Sequence, residues 1–186
     1  GQSGVTWIRE AQQRIFEYET QGTIYSVGAV DGDPTRFDGY AASGLNRAIV
    51  QHACQSVGLS GQSLHVVSGL PVGAFYRSDG QHRKEAIQTK RESLYLAVQP
   101  YTRQGSIGKT PLPASIPFNA LLTEALPAWY DAVIVTPKPG VTLDADRVAA
   151  PVAIVDIGGR TTDFVVVQDL GIVHSAYGSL NRGLLD

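Results

Sequence analysis

The sequence predicts an α/β fold. Strand-like and helix-like stretches alternate along the chain, one run has helical spacing behind a serine cap, and the last third reads as strand, glycine turn, strand, turn, strand. With 43% hydrophobic and 17% charged residues over 186 positions, the composition supports a packed core rather than a disordered chain. The length suits one domain, or one domain and the start of another. A formal net charge of −2 gives no electrostatic case for direct binding to nucleic acid or to an anionic membrane. No apolar run approaches the ~20 residues that span a bilayer. Cys54 is the single cysteine, which excludes an intrachain disulfide and fits a reducing compartment, so a cytoplasmic location is expected. The chain opens Gly1-Gln2-Ser3-Gly4 and has no methionine, which leads us to expect an internal fragment of a longer protein.

Taken in order, Arg14 to Glu19 and Thr23 to Gly28 alternate apolar and polar residues around Gln21-Gly22, the pattern of a β-hairpin. Asp31-Gly32-Asp33-Pro34 ends it with turn residues. Leu45, Ala48, Ile49, Ala53 and Val57 then recur at helical spacing after Ser43, predicting an amphipathic helix with one buried stripe that closes at Gly58. Leu64 to Gly69 is a short apolar run of the buried-strand type, and Leu70-Pro71-Val72 follows as a turn. The charged stretch from Asp79 to Leu94 favours a surface helix. Residues Thr102 to Pro117 are rich in Gly, Pro and Ser and predict a loop.

Phe118 to Thr123 reads as a further strand, and Ala125 to Val135 as a helix beginning around Leu126-Pro127. Glu124 sits at their junction. A second loop is expected over Thr136 to Val148. Val152 to Val155 is the strongest strand signal, followed by strands over Phe164 to Val167 and Gly171 to Tyr177. Those three make a β-meander.

The segment Asp156-Ile157-Gly158-Gly159-Arg160-Thr161-Thr162-Asp163 carries the chemistry. A carboxylate at a strand end followed by two glycines suits a phosphate and metal clamp. Gly158 and Gly159 let backbone N–H groups approach phosphate oxygens closely, and Thr161 or Thr162 can add a hydroxyl donor. Asp156 can hold Mg²⁺ through its water shell, since Mg²⁺ dehydrates reluctantly and takes few carboxylates. Taken alone, the same residues also describe a tight hairpin turn with two ordinary strand-end carboxylates.

The longer pattern is more specific. Asp-Ile-Gly-Gly-x-Thr-x-Asp resembles the second phosphate-binding motif of the actin, Hsp70 and sugar-kinase superfamily. Its surroundings resemble the ParM/StbA plasmid-segregation family: Phe16-x-Tyr18 with Gly22 and Tyr25-Ser26, Ser68-Gly69-Leu70-Pro71-Val72 with Phe75-Tyr76, Glu124-Ala125-Leu126-Pro127-Ala128-Trp129-Tyr130, and Tyr177-Gly178. The resemblance implies a partial actin-like (ribonuclease H-like) ATPase fold. Residues 1–150 would form lobe I without its first phosphate hairpin, and residues 151–186 the start of lobe II. It further implies that Asp156 holds Mg²⁺ by way of water, that Gly158, Gly159 and Thr161 contact the β- and γ-phosphates of ATP, and that Glu124 orients or deprotonates the attacking water. The implied function is an ATPase that polymerises into filaments for plasmid segregation, joined to DNA through a DNA-binding adaptor protein. This chain alone is expected not to hydrolyse ATP. The alternatives are a non-enzymatic scaffold of the same fold and a kinase or Hsp70-like member of the superfamily.

The sequence departs from the family pattern at Arg160, where relatives carry a small residue. Its side chain can face a phosphate or a neighbouring subunit. The four histidines have no metal-ligand spacing, and Gly105-Ser106-Ile107-Gly108-Lys109-Thr110 lacks the leading glycine of a P-loop.

Overall fold

The computed structural model describes residues 15–28, 32, 35, 37–102, 111–135 and 140–184. Arg14, Trp7, most of the 31–34 turn, the 105–110 stretch and residues 136–139 of the second loop lie outside the described residues. The chain divides into two compact units, Gly1–Val66 with Thr89–Ala120, and Val67–Gln88 with Leu121–Asp186.

In the first unit, β1 (Phe16–Thr20) and β2 (Thr23–Val27) form the predicted hairpin, with Thr20 opposite Thr23. Its turn residues Gln21 and Gly22 have φ of 52° and 75°, the left-handed pair that matches strand twist in a two-residue turn. Helix α1 (Gly44–Ser56) starts where predicted, with the Ser43 hydroxyl accepting from the Asn46 N–H at 3.1 Å. It packs on β1 and β2.

The stripe it buries differs from the predicted one. Gly44, Arg47, Ala48 and Gln51 are buried, whereas Ala53 and Val57 are exposed. Polar residues face inward here because each finds partners. The Arg47 guanidinium donates to Thr20 Oγ1, Ser93 Oγ, the Ala42 carbonyl and Gln21 Oε1. Gln51 exchanges two hydrogen bonds with the backbone of Ala114, at 2.7 and 3.0 Å, as a strand neighbour would. Fully bonded buried polar groups escape the desolvation penalty that would otherwise exclude them.

β3 (Ser63–Leu70) and β5 (Ser115–Thr123) are neighbours in a two-stranded sheet. Between them lie α2 (Val72–Phe75), α3 (Lys84–Ser93) and the short β4 (Gln99–Pro100), which pairs with β1. Three expectations change at this point. Leu70-Pro71-Val72 leads into a helical turn, and the predicted 102–117 loop ends early because Ser115, Ile116 and Pro117 already belong to β5. The predicted 136–148 loop contains β7 (Thr142–Leu143) and most of α5 (Ala145–Ala149). The Asp144 carboxylate caps α5 by accepting from the Arg147 N–H at 3.1 Å, a capping signal hidden among loop residues.

In the second unit, α4 (Leu126–Val133) is followed directly by β6 (Ile134–Val135), so the predicted helix is two residues shorter. The meander consists of β8 (Val152–Ile157), β9 (Thr162–Gln168) and β10 (Gly171–Leu180), ordered β10-β9-β8. Its inward face carries Val152, Ile154, Val165 and Val167, which pack with Val72, Ala125, Trp129 and Val133 into one apolar core. Helices α2 and α4 are pinned to the meander by this core.

Tyr18 is 1% exposed, and its hydroxyl donates to Gln55 Oε1 at 2.8 Å while lying 3.1 Å from His52 Nδ1. Its one proton serves Gln55, so a hydrogen bond between Tyr18 and His52 requires the Nδ1–H tautomer of His52. Burial pushes the Tyr18 phenol up to about 12 and pulls the His52 imidazolium down. A group that holds its proton more tightly when folded loses its contribution as pH rises, here between about 10 and 12. His52 works in the opposite sense, losing its contribution as pH falls below its ordinary value of about 6.5. We predict that urea-unfolding free energy falls by about 2 kcal/mol more between pH 9 and 12 in the wild type than in Tyr18→Phe.

Candidate functional site

The sheet register assembles the site. β8 and β9 are antiparallel with Asp156 directly opposite Asp163, so both carboxylates leave the same face as the core pairs Ile154/Val165 and Val152/Val167. On β10, Ser179 stands opposite Asp163. An apolar face therefore ends in one polar row, Asp156, Asp163 and Ser179.

The two carboxylates differ in surroundings. Asp163 is 2% exposed and is saturated with donors. Its Oδ1 accepts from the Val72 N–H at 2.9 Å and from the Ser179 hydroxyl, and its Oδ2 accepts from the Thr161 hydroxyl at 3.2 Å. Asp156 is only half-buried, and among the described residues its carboxylate has no hydrogen-bond partner. One acid is structural in its bonding, and the other is left open.

The turn between β8 and β9 is held from within and from outside. Gly158 N–H donates to the Thr161 carbonyl at 2.9 Å, and Leu184 N–H donates to the Gly158 carbonyl at 3.0 Å. The Thr162 hydroxyl donates to the Arg182 carbonyl at 2.8 Å. Residues Arg182 to Leu184 lie against the turn so closely that a Cβ on Gly183 would stand 2.5 Å from the Gly158 oxygen and the Gly159 carbonyl carbon. Both threonine hydroxyls of the motif thus spend their protons on protein acceptors, Thr161 on Asp163 and Thr162 on Arg182.

Glu124 reaches the same unit from β5. Its N–H donates to the Leu70 carbonyl at 3.0 Å, at the end of β3, and its side chain crosses over Gly69, where a Cβ would meet Glu124 Cγ at 2.7 Å. Three residues beyond Leu70, Gly73 N–H donates to Ser179 Oγ at 2.8 Å. The unit therefore contains all the residues singled out from the sequence: Glu124, Asp156, Gly158, Gly159, Thr161 and Thr162. The sequence reading had given no site role to Asp163, Ser179 or Gly183.

Among the described residues no three His, Cys, Asp or Glu side chains gather as a metal-ligand set. Mg²⁺ held through its own waters needs no such set. Asp156, half-buried and uncommitted at the edge of a glycine turn, fits that mode of binding.

The fold defined by these elements is the actin-like one. The structure is similar to that of actin-like protein Alp7A, at 14% identity and a TM-score of 0.65, covering 91% of this chain and 47% of that one. It is likewise similar to the apo psk41 ParM protein (11% identity, TM-score 0.61, 97% and 56% covered) and to Bacillus thuringiensis ParM with ATP (14%, 0.55, 93% and 49%). The chain spans about half the length of these solved structures. The family model for the N-terminal region of plasmid segregation protein ParM matches residues 6–132, more than half of the chain, and the chain belongs to that family. No sequence among curated proteins matches it. The actin-like fold and the ParM/StbA resemblance expected from the motifs are both borne out.

Gly183 is the strictest requirement of the turn, because the atoms its Cβ would strike are backbone and cannot swing aside. We expect Gly183→Ala to destabilise the protein by about 1–3 kcal/mol, as overpacking does. Urea denaturation checks this, with Gly171→Ala as a control for glycine replacement where a Cβ would meet only the Gln168 oxygen, at an ordinary 3.8 Å.

Proposed function

We propose that the intact protein is an actin-like ATPase that binds Mg-ATP between two lobes and polymerises into filaments that segregate plasmid DNA. The observation that carries this reading is the uncommitted Asp156 beside a glycine turn that is braced on both sides, in a chain of the ParM family. Solved relatives of similar fold are described with ATP, with ADP and with AMPPNP. Another is described as a filament.

In this reading Gly158, Gly159 and Thr161 line the β- and γ-phosphates, with the N–H groups of Gly159 and Thr161 as donors, while the Gly158 N–H, spent on the Thr161 carbonyl, closes the turn. Thr162 holds the turn through Arg182. Asp156 would hold Mg²⁺ through water, and that ion supplies charge neutralisation to the phosphates. Glu124 aligns the attacking water and accepts its proton. Phosphoryl transfer asks mainly for positioning and charge stabilisation, and one carboxylate within a water of the γ-phosphate meets the need. We assign residues 1–150 to lobe I and 151–186 to the opening strands of lobe II. The unit that holds the site draws on both, with Glu124 from the first and the turn from the second. Turnover is assigned to the intact protein. We further propose a cytoplasmic location and a DNA-binding adaptor as the link to the plasmid; among the described residues no helix is long and apolar enough to cross a membrane.

The test follows phosphate release and light scattering together on the intact protein. ATP is expected to drive both. Glu124→Gln is expected to slow release by about 10²–10⁴-fold while scattering still rises on ATP addition. Asp156→Ala is expected to remove the Mg²⁺ dependence along with the activity. Gly69→Ala, which pushes the Glu124 side chain off its support, is expected to reduce turnover with little change in stability. If ATP neither binds nor changes the scattering, a non-enzymatic scaffold replaces this reading.

A further inference from the structure

We infer that Asp163 is a positioning residue that sets the distance between Glu124 and the glycine turn. The inference rests on the reading of Glu124 and the turn given above, and adds a residue that the phosphate motif does not call upon for contact with nucleotide.

Four hydrogen bonds run in series through the second unit. Glu124 N–H donates to Leu70 O at 3.0 Å. Two residues on, across Pro71, Val72 N–H donates to Asp163 Oδ1 at 2.9 Å. Asp163 Oδ2 then accepts from the Thr161 hydroxyl at 3.2 Å, and Thr161 closes the turn by accepting from Gly158 N–H at 2.9 Å. Every link is a short, directional contact between groups that have little freedom. Pro71 stiffens the backbone between the first two, and Val72 and Asp163 are both buried. Ser179 anchors the carboxylate a second time and also accepts from Gly73 N–H at 2.8 Å, which prevents Asp163 from swinging away from α2.

The consequence is mechanical. A carboxylate that aligns a water for in-line attack must keep its distance from the phosphate cradle to within a fraction of an ångström, since misplacement by about 1 Å costs on the order of 10²-fold in rate. Glu124 and the turn belong to segments more than thirty residues apart, and Asp163 is the side chain through which this series joins them. It touches neither nucleotide nor water in this scheme. Its loss should therefore fall on kcat and spare KM.

The experiment uses the intact protein with Asp163→Ala, Thr161→Val and the double variant Asp163→Ala/Thr161→Val. Steady-state ATP turnover is measured alongside amide hydrogen exchange at Val72. Asp163→Ala is expected to lower kcat at least thirtyfold with KM within about threefold of wild type, and to speed exchange at Val72 at least tenfold. Thr161→Val should lower kcat similarly, and the double variant should be no slower than Asp163→Ala alone, because partners in one series are not additive. Should Asp163→Ala fail to fold, Thr161→Val, which removes only the hydroxyl that Asp163 accepts, still decides through its own kcat. Unchanged kcat in Asp163→Ala or Thr161→Val, additive losses in the double variant, or unchanged exchange at Val72 overturns the inference while leaving the ATPase reading intact. A wild-type protein that releases no phosphate overturns the ATPase reading, and the positioning role falls with it even if Val72 exchanges faster in the variant.

Discussion

A carboxylate that is 2% exposed has to be satisfied entirely by the protein, and the arrangement around Asp163 follows from that demand. Among the described residues no basic side chain is a hydrogen-bond partner of it. Its charge is met instead by one backbone N–H and two hydroxyls. Each donor fixes a different element: Val72 the start of α2, Thr161 the glycine turn, Ser179 the last part of β10. Charge-assisted bonds of this kind are roughly twice as strong as neutral ones, so a single side chain helps to hold three segments together. The first unit repeats the logic with opposite sign. There the Arg47 guanidinium, pulled below its usual value by burial, spends its donors on four neutral acceptors from the hairpin, the 3-10 turn at Tyr40–Ala42 and α3.

Much of this architecture is legible in the sequence. Gln21-Gly22 between alternating strands, Ser43 before α1 and the glycines after Asp156 are local signals, each with a local cause, and the structure realises each where it was expected. The elements read incorrectly depended on partners far along the chain. Arg47 and Gln51 look like surface residues until Thr20, Ser93 and Ala114 are brought to them, so of the stripe that the spacing of Leu45, Ala48, Ile49, Ala53 and Val57 predicts only Ala48 is fully buried. Residues Ser115 to Pro117 read as loop because proline discourages a strand. β5 begins there nonetheless, with the Ser115 N–H bonded to the Gln62 carbonyl at 2.8 Å.

The candidate site shows the same division. Asp163 could have been placed from the hairpin alone. If Ile157 pairs with Thr162, Asp156 must pair with Asp163, and two facing carboxylates in a sheet require an explanation. Ser179 could not. The register of β10 shifts between Ile172 and Tyr177, and only that irregularity brings Ser179 opposite Asp163. A strand predicted to end at Tyr177 stops two residues short of the contact.

What the site lacks is as informative as what it contains. At two points its segments approach closely because a residue has no side chain: Gly69 beneath Glu124, and Gly183 against Gly158 and Gly159. A phosphate cradle built from backbone N–H groups needs such approaches, because the donors are short and cannot reach. A search for clustered acids, histidines and cysteines therefore passes over it, as it does among the described residues here. The same economy explains why Asp163 matters to the geometry. Glycine-rich backbone gains its closeness by giving up stiffness, so the rigidity that in-line chemistry demands has to be supplied from outside the turn. In the proposed scheme it comes through Asp163 on one side and through Arg182 and Leu184 on the other, with Asp156 as the acid that would face a ligand.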